Sequence, residues 1–284
     1  GKLVVHLAEG TSSRMADEFR SLKAEGLLGP DLVVIHGVGL TEPQLKEMGA
    51  AGARLVWSPL SNFLLYGRTA NVRAAKNAGV LISIAPDWAP SGSKSVLGEL
   101  KVADLVNRKQ LANLFSDREL VEMATLHPAA ALGWESRLGR IAEGYLADLL
   151  IVDGREHDAY RNLIAATEEH VRLVLVRGVP LYGDSALLAA ARAGAGGGEA
   201  TPSFSGGRAK SIVPGCEGTQ LPAVSLRDVA GRLQQALQFD AAYTAKVVSR
   251  EQLTKDLLQC GLQASADATE DARRMLACRF NLPF

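Results

Sequence analysis

Lys2-Leu3-Val4-Val5-His6, Asp31-Leu32-Val33-Val34-Ile35-His36 and Val80-Leu81-Ile82-Ser83-Ile84-Ala85-Pro86-Asp87 share one form. Each is an apolar, β-branched run that stops abruptly on a side chain able to bind a metal or move a proton. Runs without polar alternation suit strands buried on both faces, as in a parallel sheet. Residues 53–58 supply a fourth strand of the same kind. Helical segments lie between them. Residues 12–25 read as an amphipathic helix, and Thr41-Glu42-Pro43-Gln44 has the form of a capping box with proline in the first turn. Residues 69–78 read as a helix ended by Gly79, and Ser116-Asp117-Arg118-Glu119 is a second capping box before a helix reaching Thr125. Strand and helix alternate, which predicts an α/β fold of the parallel barrel type. Chemistry in such barrels gathers at the C-terminal ends of the strands. Taken singly, a histidine at a strand end or an aspartate after it is ordinary loop chemistry. Three such endings would fall on one rim.

The chain has 284 residues, 31 basic and 31 acidic, and is 47% hydrophobic. The balanced charge gives no electrostatic argument for nucleic acid or for an anionic membrane. No apolar run reaches the roughly 18 residues of a membrane span, so a cytoplasmic protein is the expectation. The chain opens on a strand, which reads as a start inside a larger protein. Cys216, Cys260 and Cys278 all lie late and form no CxxC pair.

Four regions follow from the composition. Residues 1–140 carry the strand–helix alternation. Residues 141–185 hold two further strand candidates, one ending near Asp153 and one at 171–177, and read as a small β unit. Residues 186–224 are rich in glycine and serine and read as a linker or long loop. Residues 225–284 read as a helical extension, with segments at 225–239, 249–259 and 266–277 and cap signatures at Ser225 and Ser249.

The ordered landmarks resemble the C-terminal half of a metal-dependent amidohydrolase, in the group of cytosine deaminases, S-adenosylhomocysteine deaminases and triazine chlorohydrolases. His6-Leu7-Ala8-Glu9 is similar to that superfamily's HxxE at the fifth barrel strand, and His36 to its sixth-strand histidine. Trp57-Ser58-Pro59-Leu60-Ser61-Asn62, with Gly67, is similar to the P-x-S-N…G loop after strand seven, and Asp87 to the eighth-strand aspartate. The stretches 124–133, 138–144 and 147–153 are similar to its tail. The resemblance implies strands five to eight of a (β/α)8 barrel, followed by part of a small β-sandwich.

It also implies a site. His6 and Asp87 would be metal ligands, with zinc first and iron or manganese as alternatives. Glu9, His36 and Asp87 would be catalytic, with Asp87 taking a proton from water, Glu9 facing a substrate nitrogen or amide, and His36 polarising the bond under attack. Ser58, Asn62 and Trp88 are candidate substrate contacts. The reaction implied is hydrolytic attack at a carbon bonded to nitrogen in a small molecule, by deamination or by cleavage of an amide or cyclic amide. Two departures stand out. No HxH occurs in the chain, although relatives place one after strand one, and Gly39 stands where many relatives carry a second histidine. A separate polypeptide carrying strands one to four and HxH is therefore expected as partner, and the assembled enzyme could be a homo-oligomer. An inactive amidohydrolase-like binding or assembly subunit is the alternative. The C-terminal helices could equally serve as a partner-binding module.

Overall fold

The computed structural model describes residues 1–88, 91–192, 199–200 and 208–213, with scattered positions between 225 and 274. Two sheets organise it. The first contains β1 (Leu3–Leu7), β2 (Leu32–His36), β3 (Arg54–Trp57) and β4 (Leu81–Ile84), in that order. Every neighbouring pair is parallel, and the register sets Leu7 beside His36 and Trp57 beside Ile84. The strand ends are thus level, and whatever follows each strand emerges on the same side.

The crossovers are α1 (Met15–Ala24), α2 (Glu42–Ala51) and the pair α3 (Pro59–Tyr66) and α4 (Val72–Asn77). After β4 come α5 (Val96–Lys109), α6 (Asp117–Ala124) and α7 (Leu126–Leu132). Both expected capping boxes form, Thr41 with Gln44 and Ser116 with Glu119. Gly52 and Gly67 close α2 and α3 in the left-handed conformation that glycine adopts without steric cost. The region after Trp57, read as a loop, is helical over Pro59–Tyr66. Proline at its first position is preorganised for a helix start.

The core forms between this sheet and its helices. Leu32, Val34, Leu55, Ile82, Phe19, Leu45, Met48, Leu100 and Leu120 are all buried. Full burial of a side chain of this size contributes about 1.5–3 kcal/mol. Gly49 lets α2 lie against the end of α4, since a Cβ there would sit 1.9 Å from the Ala78 carbonyl oxygen. The sheet edges differ from its centre. On β1, Leu3 and Val4 are 38% and 46% exposed, whereas Leu32, Val33 and Val34 on β2 are at most 1% exposed. Among the described residues no strand pairs with the outer edge of β1 or of β4.

The second sheet is antiparallel, with β5 (Leu149–Val152), β6 (Val171–Val176), β7 (Val179–Asp184), β8 (Glu199–Ala200) and β9 (Lys210–Ile212) in the order β5-β6-β7-β9-β8. Helix α8 (Ala159–Ala165) lies between β5 and β6, and α9 (Ser185–Ala191) follows β7. The stretch 186–224 is therefore not wholly linker. Its alanine- and leucine-rich start is helical with Leu188 buried, and Lys210 pairs with Asp184 where β9 joins the sheet. Asp153, just past β5, takes ion pairs from Arg172 at 2.6 Å and Arg208 at 2.7 Å. Short helical pieces occur within 227–236 and 268–274. Ser225 and Ser249 accept the Asp228 and Gln252 amides as the cap signatures imply, while most of the rest of the helical extension read at 225–284, and the three cysteines, lie outside the described residues.

Helix α8 ties the second unit to the first. Arg161 reaches Asp104 on α5 at 3.1 Å and also pairs with Asp117 on α6. The Asp104 side chain is only 5% exposed, and its other cation is Arg108 at 2.8 Å. Replacing Arg161 by alanine leaves a buried carboxylate short of donors. Arg161→Ala is expected to lower unfolding free energy by about 1–3 kcal/mol in urea titration, with Arg161→Lys losing less. A change indistinguishable from zero would remove this pair from the forces holding α8.

Candidate metal centre

The rim of the parallel sheet carries the polar cluster. His6 is the penultimate residue of β1, and Glu9 follows two residues after that strand ends. His36 closes β2 with φ +68°, and Ala8 has φ +52°. Left-handed conformations cost residues other than glycine about 1–3 kcal/mol and collect at functional sites. Here they turn the chain sharply off the strands. The bonds from Gly37 N–H to the Leu7 carbonyl and from Gly39 N–H to the Ala8 carbonyl hold the two bends together.

The rings of His6 and His36 lie 5.1 Å apart between centroids. Potential ligand atoms of His6, Glu9 and His36 all fall within 4.8 Å of one another. Nε2 of His36 is 3.4 Å from Glu9 Oε1 and 4.0 Å from Asp87 Oδ2. That nitrogen is buried and makes no hydrogen bond. Burial holds the His36 pKa below its ordinary value, against the opposing pull of the Glu9 and Asp87 carboxylates. Asp87 accepts hydrogen bonds from Ser61 Oγ at 2.6 Å, the Trp88 amide at 2.7 Å and Ser91 Oγ at 3.4 Å. Burial pushes Asp87 up, but these bonds and His36 outweigh it, and the net direction is down.

Helix α3 supplies the support. Ser58 sits at its N-terminal boundary, 2% exposed. Ser61 reaches Asp87, Asn62 lies 3.1 Å from His36 Nδ1, and Tyr66 Oη donates to Glu9 Oε1 at 2.9 Å. Burial, then Glu9, pushes the Tyr66 hydroxyl up to about 12. The helix start is itself held by Glu99, fully buried on α5, whose Oε1 accepts the Leu60 amide at 2.9 Å.

The fold thus brings His6, Glu9, His36 and Asp87 to one place. Trp88 stands beside them, 70% exposed. Asn62 is fully buried, and its amide is engaged within the protein rather than presented to solvent. Imidazole nitrogens and carboxylate oxygens suit zinc and other divalent cations. The His6 imidazole and the Asp87 carboxylate, with Glu9 beside them and the buried His36 Nε2 left without a partner, fit such an ion and the water it would carry. Position 39 has no room for a histidine, because even a Cβ would lie 2.4 Å from Met15 Cβ and 3.0 Å from the Gly10 carbonyl oxygen. Sequence reading missed Ser61, Tyr66 and Glu99. Ser61 and Tyr66 share a helix with Asn62, and that helix was the missing signal. Glu99 carries no local marker. His127, away from this cluster, approaches the Ile82 carbonyl at 2.8 Å through Nδ1.

Comparison with known proteins finds related chains. The profile of the amidohydrolase family matches residues 4–181. A 5-methylthioadenosine/S-adenosylhomocysteine deaminase of Pyrococcus furiosus is 33% identical over 165 residues, covering 54% of this chain and 38% of the relative. The protein of the same name from Halobacterium salinarum is 36% identical over 173 residues, covering 57% and 40%. The chain spans less than half the length of these relatives. Among solved structures, a zinc-bound adenosine deaminase from Xanthomonas campestris has 27% identity and a TM-score of 0.58, over 67% of this chain and 49% of that one. Atrazine chlorohydrolase from Arthrobacter aurescens, complexed with zinc, has 25% identity and a TM-score of 0.56, over 63% and 44%. No helix among the described residues is long and apolar enough to cross a membrane.

Glu99 generates a pH prediction. Burial raises its pKa above the ordinary 4.5, and the nearby Asp87 charge adds to this against the bonds from Ser93 and Leu60. A carboxyl raised on folding contributes stability below its unfolded pKa and loses it as pH climbs through the folded value. The stability of Glu99→Gln relative to wild type should therefore rise as pH increases above about 4.5. Chemical denaturation at pH 4.5, 6 and 8 reads the difference, and a flat or falling trend would contradict the assigned direction.

Proposed function

The chain belongs to the amidohydrolase family, and on that premise we propose that it carries much of the active site of a metal-dependent hydrolase that deaminates a heterocycle. The observation that supports this most is the convergence of His6, Glu9, His36 and Asp87 at the level ends of a parallel sheet. Deaminases among the relatives support the reaction class. An adenine-type nucleoside is the first substrate to try, with cytosine and amino- or chlorotriazines next.

His6 and Asp87 would hold the cation, zinc first, with iron or manganese as alternatives. When bound, such an ion supplies an acidified water for attack on an sp² carbon. Asp87, oriented by Ser61 and Ser91, accepts that water's proton and returns it to the departing amine. Glu9, steadied by Tyr66, faces a ring nitrogen of the substrate and protonates it as the ring loses aromaticity. His36 stabilises negative charge developing on the attacking oxygen. Trp88 forms an exposed wall beside Asp87.

The open edges of β1 and β4 call for further strands, and the remaining ligands, an HxH pair, would come with them. We place both on β/α units outside these 284 residues, in a separate polypeptide or elsewhere in a longer one. These units would close the sheet into a barrel of which β1 to β4 are the last four strands. A cytoplasmic setting and a homo-oligomer of the completed enzyme belong to the same proposal.

The test uses the completed protein. His6→Ala and Asp87→Ala should each lower bound zinc at least tenfold by elemental analysis. Glu9→Gln and His36→Asn should lower kcat by roughly 10²-fold while melting temperature hardly moves. Ammonia release from 5-methylthioadenosine, S-adenosylhomocysteine and cytosine reads the activity. Unchanged zinc in both ligand variants would remove the ligand assignment. Full metal loading without turnover of any amine would favour the binding-subunit alternative.

A further inference from the structure

His36 presents two nitrogens, and its neighbours treat them differently. Nδ1 meets Asn62 Nδ2 at 3.1 Å. Behind Asn62 the contacts continue inward. Thr69 Oγ1 lies 3.0 Å from Asn62 Oδ1, and Trp57 Nε1 lies 2.6 Å from Thr69 Oγ1. Asn62 and Trp57 are both fully buried.

The chain has a direction, and chemistry at its far end sets it. An indole N–H can only donate. Thr69 therefore accepts from Trp57, and its own hydrogen is free to donate to Asn62 Oδ1. With that oxygen occupied, the Asn62 amide nitrogen faces His36 and donates to Nδ1. If the amide were turned over, Thr69 Oγ1 would take two donors and its hydrogen would lose its acceptor in the chain. The opposite side of the ring gives an independent reading. Nε2 lies 3.4 Å from Glu9 Oε1 and 4.0 Å from Asp87 Oδ2. Carboxylate oxygens repel a bare nitrogen lone pair and favour an N–H. Both sides favour the same proton placement, but Nε2 makes no hydrogen bond to either carboxylate, so the contact with Asn62 decides it.

We propose that Trp57, Thr69 and Asn62 form a one-way hydrogen-bond chain that fixes neutral His36 as its Nε2–H tautomer, the form needed for the donor role given to it above. Nδ1 is blocked by the Asn62 amide, and Nε2 carries the proton. His36 then lies within ligand distance of His6 and Glu9 without a lone pair to offer a cation. The ligands this chain contributes come from the other groups of the rim. The three relay residues are positioning residues, and Asn62 acts through His36 rather than on substrate. What the Nε2–H meets, an oxygen that gains negative charge during hydrolysis, rests on the hydrolase reading above. The tautomer itself does not.

The test is two-bond proton–nitrogen correlation of the histidine rings in the intact, metal-free chain. It is run at about pH 8, above the ordinary imidazole range. The chain has five histidines, and His36→Gln identifies the signals of interest. In wild type, Nε2 should resonate as a protonated, pyrrole-type nitrogen and Nδ1 as a pyridine-type acceptor. Asn62→Asp places an acceptor-only group against Nδ1, and Nδ1 should become a protonated, pyrrole-type nitrogen. Thr69→Val frees the Asn62 amide to turn over, and both shifts should move toward an average. Added zinc should leave Nε2 protonated in wild type. An Nδ1–H tautomer in the wild-type protein, or displacement of the Nε2 proton by zinc, would overturn the proposal. So would an unchanged tautomer in Thr69→Val, a variant that keeps shape and loses only the hydroxyl. If Asn62→Asp does not fold, the wild-type and Thr69→Val spectra decide alone. Zinc binding without turnover in the completed protein would sink the hydrolase reading and leave the tautomer standing.

Discussion

The polar rim depends on how the first turn of α3 is held. The buried Glu99 carboxyl takes the Leu60 amide and so fixes α5 against α3. From that turn Ser61 reaches Asp87 and Asn62 reaches His36, and one turn later Tyr66 reaches Glu9. Three of the four groups at the rim thus take their orientation from one eight-residue helix. A helix that short has little stability of its own. Its position is set by its partners, and a buried carboxyl is a costly partner to keep.

The parts of the fold visible in the sequence are those whose cause is local. Unalternated apolar runs marked β1 to β4, and the capping boxes at Thr41 and Ser116 marked α2 and α6. Helix α3 was hidden because Pro59, Ser61 and Asn62 are also turn formers. Helix α5 was hidden because its third residue after Ser95 is Gly98, which cannot return the hydrogen bond of a capping box. The glycine- and serine-rich stretch concealed α9 and β9, whose stability comes from packing on β7. At the rim, His6, Glu9, His36 and Asp87 were legible because strand ends fix where a side chain emerges. Ser61, Tyr66 and Glu99 were not, since their roles arise from approach between helices far apart in sequence.

The two bends at the rim show strain and order together. Ala8 and His36 both adopt positive φ, and the amides that follow His36 are bonded back to the β1 end. The ring of His36 is thereby fixed from its backbone as well as from Asn62. A site built this way gains directionality at the cost of adaptability. Small changes in the strand register would be felt by every rim group at once.

Gly39 carries a consequence for how such a site can change over generations. Its absent side chain leaves no space, because Met15 Cβ would stand 2.4 Å from any Cβ there. Shortening Met15 to alanine keeps that atom in place. A histidine at position 39 therefore demands movement of the start of α1, beyond any exchange of one residue. The Gly39 amide is also bonded to Ala8, so that movement would disturb the bend beside Glu9. Position 39 is therefore constrained by the backbone path at residues 8–15 and by the Cβ at position 15. A second histidine on this loop is thus not one substitution away, and change at position 39 is contingent on prior change in the backbone leading into α1.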